Sequence, residues 1–513
     1  MRLLILFFLF SSVAHAQRPN IIYIMSDDHD ANAISAYSKK LISTPNIDRI
    51  ASEGILFTRC FVGNSICSPA RATLLTGQHS HKNGVRDNFT RFDSSRITAP
   101  KLLQQAGYQT ALIGKWHLHS YPTGFDYWKI LPGQGQYYEP AFISMSGDTT
   151  SQHGYASDVI TDEAIQWLNG RDKNKPFILF LHNKAPHRYF FPPLKYIEQF
   201  HSKTFPEPAT LYVDTTGRGS AWRTQTMSIL TVMKLCSDLK VDPKYLADIP
   251  WLKPDAEEVF YYNAIMNRIP KEDRDKIKEI YSERGKLLQQ LRPKGKELLK
   301  WKYQWYMQDY LACVASVDEN VGRLLRYLDN NNLTKNTMVI YTSDQGMYLG
   351  ENGWFDKRFM YDKTMRTALM IRWPGHVKPK TVTSAMVQNI DFAPTFLDAA
   401  SVEVPNWMQG LSFVPILTGK KKSFDRPALY YHYYEFSSDH TVIPHLGIRG
   451  ERYKLIYFYT VNEWELYDLK TDPSEQHNLI HSSSYQNIYR QMKNELKKLR
   501  DVYDDHEPAG ELK

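Results

Sequence analysis

Four short apolar runs punctuate the chain, and each stops abruptly at polar residues. Residues 19–25 (PNIIYIM) run into Ser26, Asp27, Asp28 and His29, and residues 110–114 (TALIG) run into Lys115 and His117. Phe177–His182 (FILFLH) leads to Lys184 and His187, and Thr337–Ser343 (TMVIYTS) leads to Asp344 and Gln345. Unbroken runs rich in β-branched and aromatic residues predict strands covered on both faces. Helical patterns lie between them, for example over 158–169 and 305–330. Strands alternating with helices predict an α/β fold, with a large, mostly parallel central sheet flanked by helices. Such sheets bind ligands beyond the carboxyl ends of their strands, where all four polar clusters fall.

The stretch from about 205 to 297 breaks this rhythm. It is rich in charge and poor in strand signals, and predicts a helical insertion. Beyond residue 400, segments 428–434 and 446–459 read as strands of a smaller antiparallel sheet, with a basic amphipathic helix over 484–502 packed on it. The expected organisation is a signal peptide over 1–16, an α/β catalytic domain over 17–400 and a C-terminal α+β subdomain over 401–513. The signal peptide is read from Arg2, the apolar residues 3–10 and the cleavage pattern Ala14, His15, Ala16. Its apolar run is too short to span a bilayer, so the expectation is a secreted or periplasmic protein without an integral membrane segment.

Charge and cysteine content narrow the chemistry. Sixty-three Lys and Arg against 55 Asp and Glu give a net charge of +8 over 513 residues. That excess suits an anionic substrate and is too small and dispersed to indicate nucleic acid. Cys60, Cys67, Cys236 and Cys313 are too few and scattered for a disulfide framework.

Asp27 and Asp28 at the first strand end, with Asp344 and Gln345 at a late one, would supply four hard oxygen donors. An oxygen-only set selects Ca²⁺ or Mg²⁺ over zinc, although acidic residues at strand ends also cap helices and turns. Residues 64–77 (NSICSPARATLLTG) place Pro69 and Arg71 two and four positions after Cys67. Cys67 alone could equally be a buried thiol ahead of a Pro-started helix.

The segment resembles the Cys-x-Pro-x-Arg signature of the type I, formylglycine-dependent sulfatases of the alkaline-phosphatase-like superfamily. The resemblance implies that a maturation enzyme oxidises Cys67 to formylglycine, whose hydrate attacks sulfur. It implies one Ca²⁺ per active site, held by Asp27, Asp28, Asp344, Gln345 and the modified Cys67. Arg71 would hold the diol. Lys115 and His117 resemble the family's Lys-x-His element, with Lys115 on sulfate and His117 deprotonating the diol. His187, in residues 184–187 (KAPH), would protonate the leaving sugar oxygen, and Lys357, in residues 353–358 (GWFDKR), would be the second sulfate-binding lysine.

That last segment, residues 206–211 (PEPATL) and 217–219 (GRG) are similar to bacterial N-acetylglucosamine-6-sulfatases. The implied partner is a sulfated glycan, with the 6-O-sulfate of N-acetylglucosamine in heparan-type glycosaminoglycans as the expected target. An N-sulfoglucosamine or galactose sulfatase is the alternative on the same machinery, and a phosphonate monoester hydrolase or phosphodiesterase the alternative of another class. Arg358, His432, Glu435 and His445 are the candidate sugar contacts. The competing reading of residues 430–435 (YYHYYE) is an aromatic edge strand packed on the core.

Overall fold

The computed structural model describes residues 18–213, 218–436 and 440–513; the expected signal peptide lies outside them. Among the described residues, eleven strands join into one sheet. Its centre is four parallel neighbours: β1 (Asn20–Ser26), β3 (Gln109–Lys115), β7 (Phe177–His182) and β8 (Thr337–Ser343), in the order β8-β1-β7-β3. These are the four apolar runs of the sequence. On one flank lie β4 (Tyr127–Leu131), β5 (Ala141–Ser144) and β6 (Thr149–Ser151). On the other lie β9 (Arg366–Arg372), β2 (Ile55–Phe61) and β10 (Thr381–Thr383), with β11 (Val387–Gln388) also pairing with β2. Contacts of β9 with β8 and β2, and the β4–β5–β6 ribbon, are antiparallel.

Strand alternation explains why the central runs are apolar throughout. Ile22 and Ile24 of β1 face a core built on the 36-residue helix Gly295–Asn330, while Ile21, Tyr23 and Met25 face the opposite core. There the Tyr23 ring meets Phe392 and Phe396 edge-on, at centroid distances of 5.6 and 5.4 Å. Gly114 is required where β3 passes β7: its φ is +105°, and a Cβ there would lie 2.0 Å from the His182 carbonyl oxygen.

Within 205–297 the structure has helices Ser220–Thr224, Ala256–Asn267 and Lys271–Leu291 joined by irregular chain. Beyond it, β12 (Ala428–Tyr433), β13 (His445–Gly450), β14 (Tyr453–Phe458) and β15 (Glu463–Asp468) form a separate antiparallel sheet. The single strand expected over 446–459 is two, β13 and β14, because Gly450, Glu451 and Arg452 turn the chain back on itself. Helix Gln486–Tyr503 covers one face of this sheet through Leu496 and Leu499. The other face, with Leu429, Tyr431 and Tyr433, packs on Trp354, Phe359 and Met360 and so reaches the main sheet's carboxyl edge. No helix among the described residues is long and apolar enough to cross a membrane. All four cysteines are buried free thiols.

Candidate active site

Because β8, β1, β7 and β3 are adjacent and parallel, their polar tails emerge side by side. Asp27 and Asp28 follow β1, and Asp344 and Gln345 follow β8. The Asp28 amide donates to Asp344 Oδ1 at 3.1 Å, which ties the two tails together. Tyr310, from the long helix, donates to the Asp28 carbonyl at 2.7 Å and accepts from the Asp30 amide at 2.9 Å. The acidic loop is therefore held from beneath.

Cys67 is the first residue of helix Cys67–Thr76, which is buried along its whole length and ends on Gly77 at φ 64°. Arg71, one turn on, falls on the same helix face. Its guanidinium lies 2.8 Å from Asp344 Oδ2 and 3.6 Å from Asp27 Oδ1, and donates to the Lys115 carbonyl at 2.8 Å. The Cys67 thiol is 3.5 Å from Asp27 Oδ1 and 3.7 Å from Gln345 Nε2. Burial pushes that thiol far up, so the unmodified side chain is neutral.

Asp27, Asp28 and Asp344 are fully buried, and one oxygen from each lies within 4.8 Å of the others. Burial and the neighbouring Asp27 push the Asp344 carboxyl up to about 7. Burial acts the same way on Asp27, but Lys115, His187 and Arg71 outweigh it and hold that group well below the usual carboxylate range. Gln345 Nε2 donates to Asp28 Oδ1 at 2.5 Å, while its Oε1 is buried with no hydrogen-bond partner. Rotating the amide would turn that oxygen toward the carboxylates. Three clustered carboxylates beside an orphaned carbonyl oxygen fit a hard divalent cation.

Cations line the rest of the cleft. Lys115 bonds Asp27 Oδ2 and, at 2.5 Å, Gln134 Oε1; Lys357 Nζ is 2.6 Å from Asp28 Oδ2. His187 Nε2 sits 3.7 Å from Asp28 Oδ2, and its Nδ1 is 2.6 Å from the Arg188 carbonyl. Carbonyl acceptance assigns the proton to Nδ1 and turns Nε2 to the cleft. His117 lies beside Cys67 through Ser68, whose hydroxyl donates to the His117 carbonyl at 2.6 Å. Burial and then Lys115 lower both imidazoles well below their ordinary value. Asp28, His117, Asp356 and Arg358 have left-handed backbones, with φ of 63°, 54°, 75° and 94°. Four strained positions thus border the cleft.

The candidate sugar contacts divide. Arg358 Nη1 is 2.5 Å from Glu435 Oε1, and Glu435 Oε2 accepts from the Asn88 amide at 2.9 Å. Both residues face the cleft side of β12. His432 faces the other way, with Nδ1 2.8 Å from Asp505 Oδ2. His445 is fully buried, its Nε2 accepting from the Met360 amide at 3.0 Å and its Nδ1 donating to the Ile443 carbonyl at 2.8 Å. It supports the loop that carries Lys357 and has no ring nitrogen left for a sugar. Asp356, His440, Gln134, Lys184 and His182 join the site without having been singled out as site residues from sequence. His440 Nε2 is 3.2 Å from Asp356 Oδ2, and His182 Nδ1 donates to the Lys115 carbonyl at 3.0 Å. Burial and then Lys115 bring the Lys184 ammonium down to about 7.

Residues 19–402 match the family model described as Sulfatase, and residues 350–502 match the one described as N-sulphoglucosamine sulphohydrolase, C-terminal. An N-acetylglucosamine-6-O-sulfatase from Bacteroides thetaiotaomicron is 48% identical over 96% of this chain and 88% of its own length. The solved structure of BT4656 in complex with its substrate D-glucosamine-2-N,6-O-disulfate superposes with a TM-score of 0.91 at 47% identity, covering 96% of this chain and 99% of that one. The phosphonate monoester hydrolase of Agrobacterium radiobacter, at 21% identity and a TM-score of 0.68 over 95% and 96% of the two chains, shares the fold. This chain belongs to the sulfatase family and is a sulfuric ester hydrolase.

Proposed function

We propose that this sulfatase removes the 6-O-sulfate of N-acetylglucosamine or glucosamine residues in heparan-type glycans. It does so after export, with Cys67 converted to formylglycine by a maturation enzyme and one Ca²⁺ bound. The observation that carries the substrate is the 48% identity, spread over 96% of the chain, with a relative named for that activity. Asp356, Arg358, Glu435 and His440 form a connected, buried polar group beside Lys357. Such a group suits the hydroxyls of one sugar ring.

When present, the ion and the formylglycine hydrate supply sulfate polarisation and the nucleophilic hydroxyl. The chain's own side chains do the rest. Arg71, Lys115 and Lys357 place three positive charges around a tetrahedral anion, where charge develops in the transition state. Bound sulfate offsets the Lys115 and Lys357 charges that disfavour the imidazolium, so His187 takes a second proton, on Nε2, and passes it to the departing sugar oxygen. His117, across the cleft beside Ser68, takes a proton from the nucleophilic residue when sulfate leaves. Asp27, Asp28, Asp344 and Gln345 hold the cation.

The match of residues 350–502 to the N-sulphoglucosamine sulphohydrolase C-terminal model favours a second reading, cleavage of the N-sulfate. One substrate separates the two. With D-glucosamine-2-N,6-O-disulfate, loss of the 6-O-sulfate and retention of the N-sulfate, read by mass spectrometry, is the expected result. Loss of the N-sulfate first would refute the proposal. The mass of the tryptic peptide ending at Arg71 reports conversion of Cys67.

A further inference from the structure

His187 stands on a loop without regular structure, yet six successive carbonyls of that loop are held by side chains. Tyr137 donates to the carbonyl of His187, and His187 Nδ1 to that of Arg188. Lys240 Nζ donates to the carbonyls of Tyr189 and Phe190, both at 2.7 Å. Tyr155 holds Phe191 at 3.0 Å and Tyr138 holds Pro192 at 2.9 Å. The loop's one guanidinium is fixed as well. Arg188 pairs with Asp238 in a two-pronged fork, Nε to Oδ1 at 2.6 Å and Nη2 to Oδ2 at 2.8 Å, while its plane lies 5.2 Å from the Phe355 ring centre.

Asp238 and Lys240 belong to the irregular stretch within 205–297, far from His187 in sequence. They are themselves immobilised. Lys240 also donates to the Asp238 carbonyl at 2.6 Å and to Asp309 Oδ2 at 3.1 Å, and Asp309 is paired with Arg284 at 2.8 Å. Lys240 and Asp238 are buried side chains that touch no group assigned a step in the reaction. What they touch is the backbone and side chain on either side of the Arg188 carbonyl, which orients the His187 ring.

We propose that the insertion acts as a positioning clamp for His187: Asp238 and Lys240 are positioning residues that fix the Arg188 carbonyl and thereby aim His187 Nε2 at the leaving-group oxygen. The inference rests on the reading of His187 as the leaving-group acid. It gives the insertion a part in the chemistry beyond walling the cleft.

A double-mutant cycle tests it, with release of sulfate from N-acetylglucosamine-6-sulfate as the readout. Lys240→Met keeps the volume and leaves Asp309 paired with Arg284. In the parent enzyme it is expected to lower kcat/KM by about 10- to 100-fold, the scale set by displacing a general acid, with the loss in kcat rather than KM. In a His187→Ala background it should cost less than about 2-fold, because residues acting through one group do not add. Arg188→Gln opens the same clamp from the partly exposed side and should behave likewise, which covers the case in which Lys240→Met fails to fold. Losses that multiply in both backgrounds, or no loss in the parent, would overturn the clamp. A His187→Ala enzyme of undiminished rate would instead overturn the acid role itself.

Discussion

Arg71 and Asp344 meet at 2.8 Å between the second turn of the buried helix and the tail of β8, so the helix that begins at Cys67 and the acidic loop are locked as one unit. The same guanidinium reaches the Lys115 carbonyl, and thus ties in a third element. The two contacts use different nitrogens, Nη1 for the carbonyl and Nη2 for the carboxylate, a spread that the single, shorter-reaching Nζ of a lysine does not reproduce. Arg71→Lys is therefore expected to retain the fold but lower kcat/KM by about 100- to 1,000-fold, the scale of losing one donor to a developing anion. Sulfate release and near-ultraviolet circular dichroism check both parts. Activity within a few-fold of the parent would show that charge alone suffices there.

Three buried carboxylates with one orphaned amide oxygen fit a divalent cation alongside their Lys and Arg partners. Removing divalent ions with EGTA should abolish turnover and lower the melting temperature, and added Ca²⁺ should restore both. Gln345→Ala deletes a single oxygen donor, so it should weaken Ca²⁺ binding by about 10- to 100-fold in calorimetric titration. Unchanged Ca²⁺ affinity would place Gln345 outside the coordination sphere.

Tyr431 of β12 joins the two halves of the site. Its hydroxyl accepts from the Ser65 amide at 3.2 Å, two residues before Cys67, and donates to the Arg358 carbonyl at 2.6 Å. Tyr431→Phe leaves a buried amide and a buried carbonyl unpaired, a cost of about 1–3 kcal/mol. A drop in unfolding free energy of that size is expected, together with a fall in kcat/KM on the sulfated sugar. A fully stable variant would mean that water replaces the hydroxyl.

The centre of the fold and the gathering of the cleft's polar groups were legible in the sequence for one physical reason. Strands buried on both faces must be apolar along their length, so β1, β3, β7 and β8 stand out, and the polar residues that stop them mark the sheet's carboxyl edge. The rim of the site carried no such signal. Gln134, Asp356 and His440 come from loops whose spacing has no period, and Asp238 and Lys240 from an irregular insertion. His432 was open to a parity argument: in an extended strand, residues 431, 433 and 435 share one face and 430, 432 and 434 the other. With Tyr431, Tyr433 and Glu435 directed at Arg358, His432 must turn away, and it joins Tyr430 and Tyr434 on Asp505. The hairpin between β13 and β14 does carry a local signal, since Arg449, Gly450, Glu451 and Arg452 make a polar break between two apolar runs.

Outside the cleft, two acids share one buried lysine. Lys454 Nζ lies 2.6 Å from Glu475 Oε1 and 2.7 Å from Asp362 Oδ1. Asp362 has a second cation, Arg449, at 2.9 Å, so Glu475 is the acid that keeps its proton longer. Burial, only partly offset by Lys454, pushes the Glu475 carboxyl up to about 7. Asp362 is buried too, but Lys454 and Arg449 hold it well below the usual range. A raised acid binds a proton in the folded protein that the unfolded chain has already released, so stability is greatest below the unfolded pKa and falls as pH rises through the folded one. The slope between the ordinary Glu value of 4.5 and about 7 can reach ~1.4 kcal/mol per pH unit. Asp362 has the opposite slope, confined to lower pH. Denaturant unfolding at pH 5, 6, 7 and 8, with Ca²⁺ saturating so that the acidic loop does not titrate, should therefore contain a Glu475 contribution that declines toward pH 7 and flattens above it, set against the opposite slope of the buried imidazoles and read as the difference between the parent and Glu475→Gln. Glu475→Gln cannot titrate and should lose that decline, becoming less stable than the parent at pH 5 by more than at pH 8. An identical pH slope in the two proteins would mean that Glu475 is ionised across the range and that Lys454 neutralises both acids.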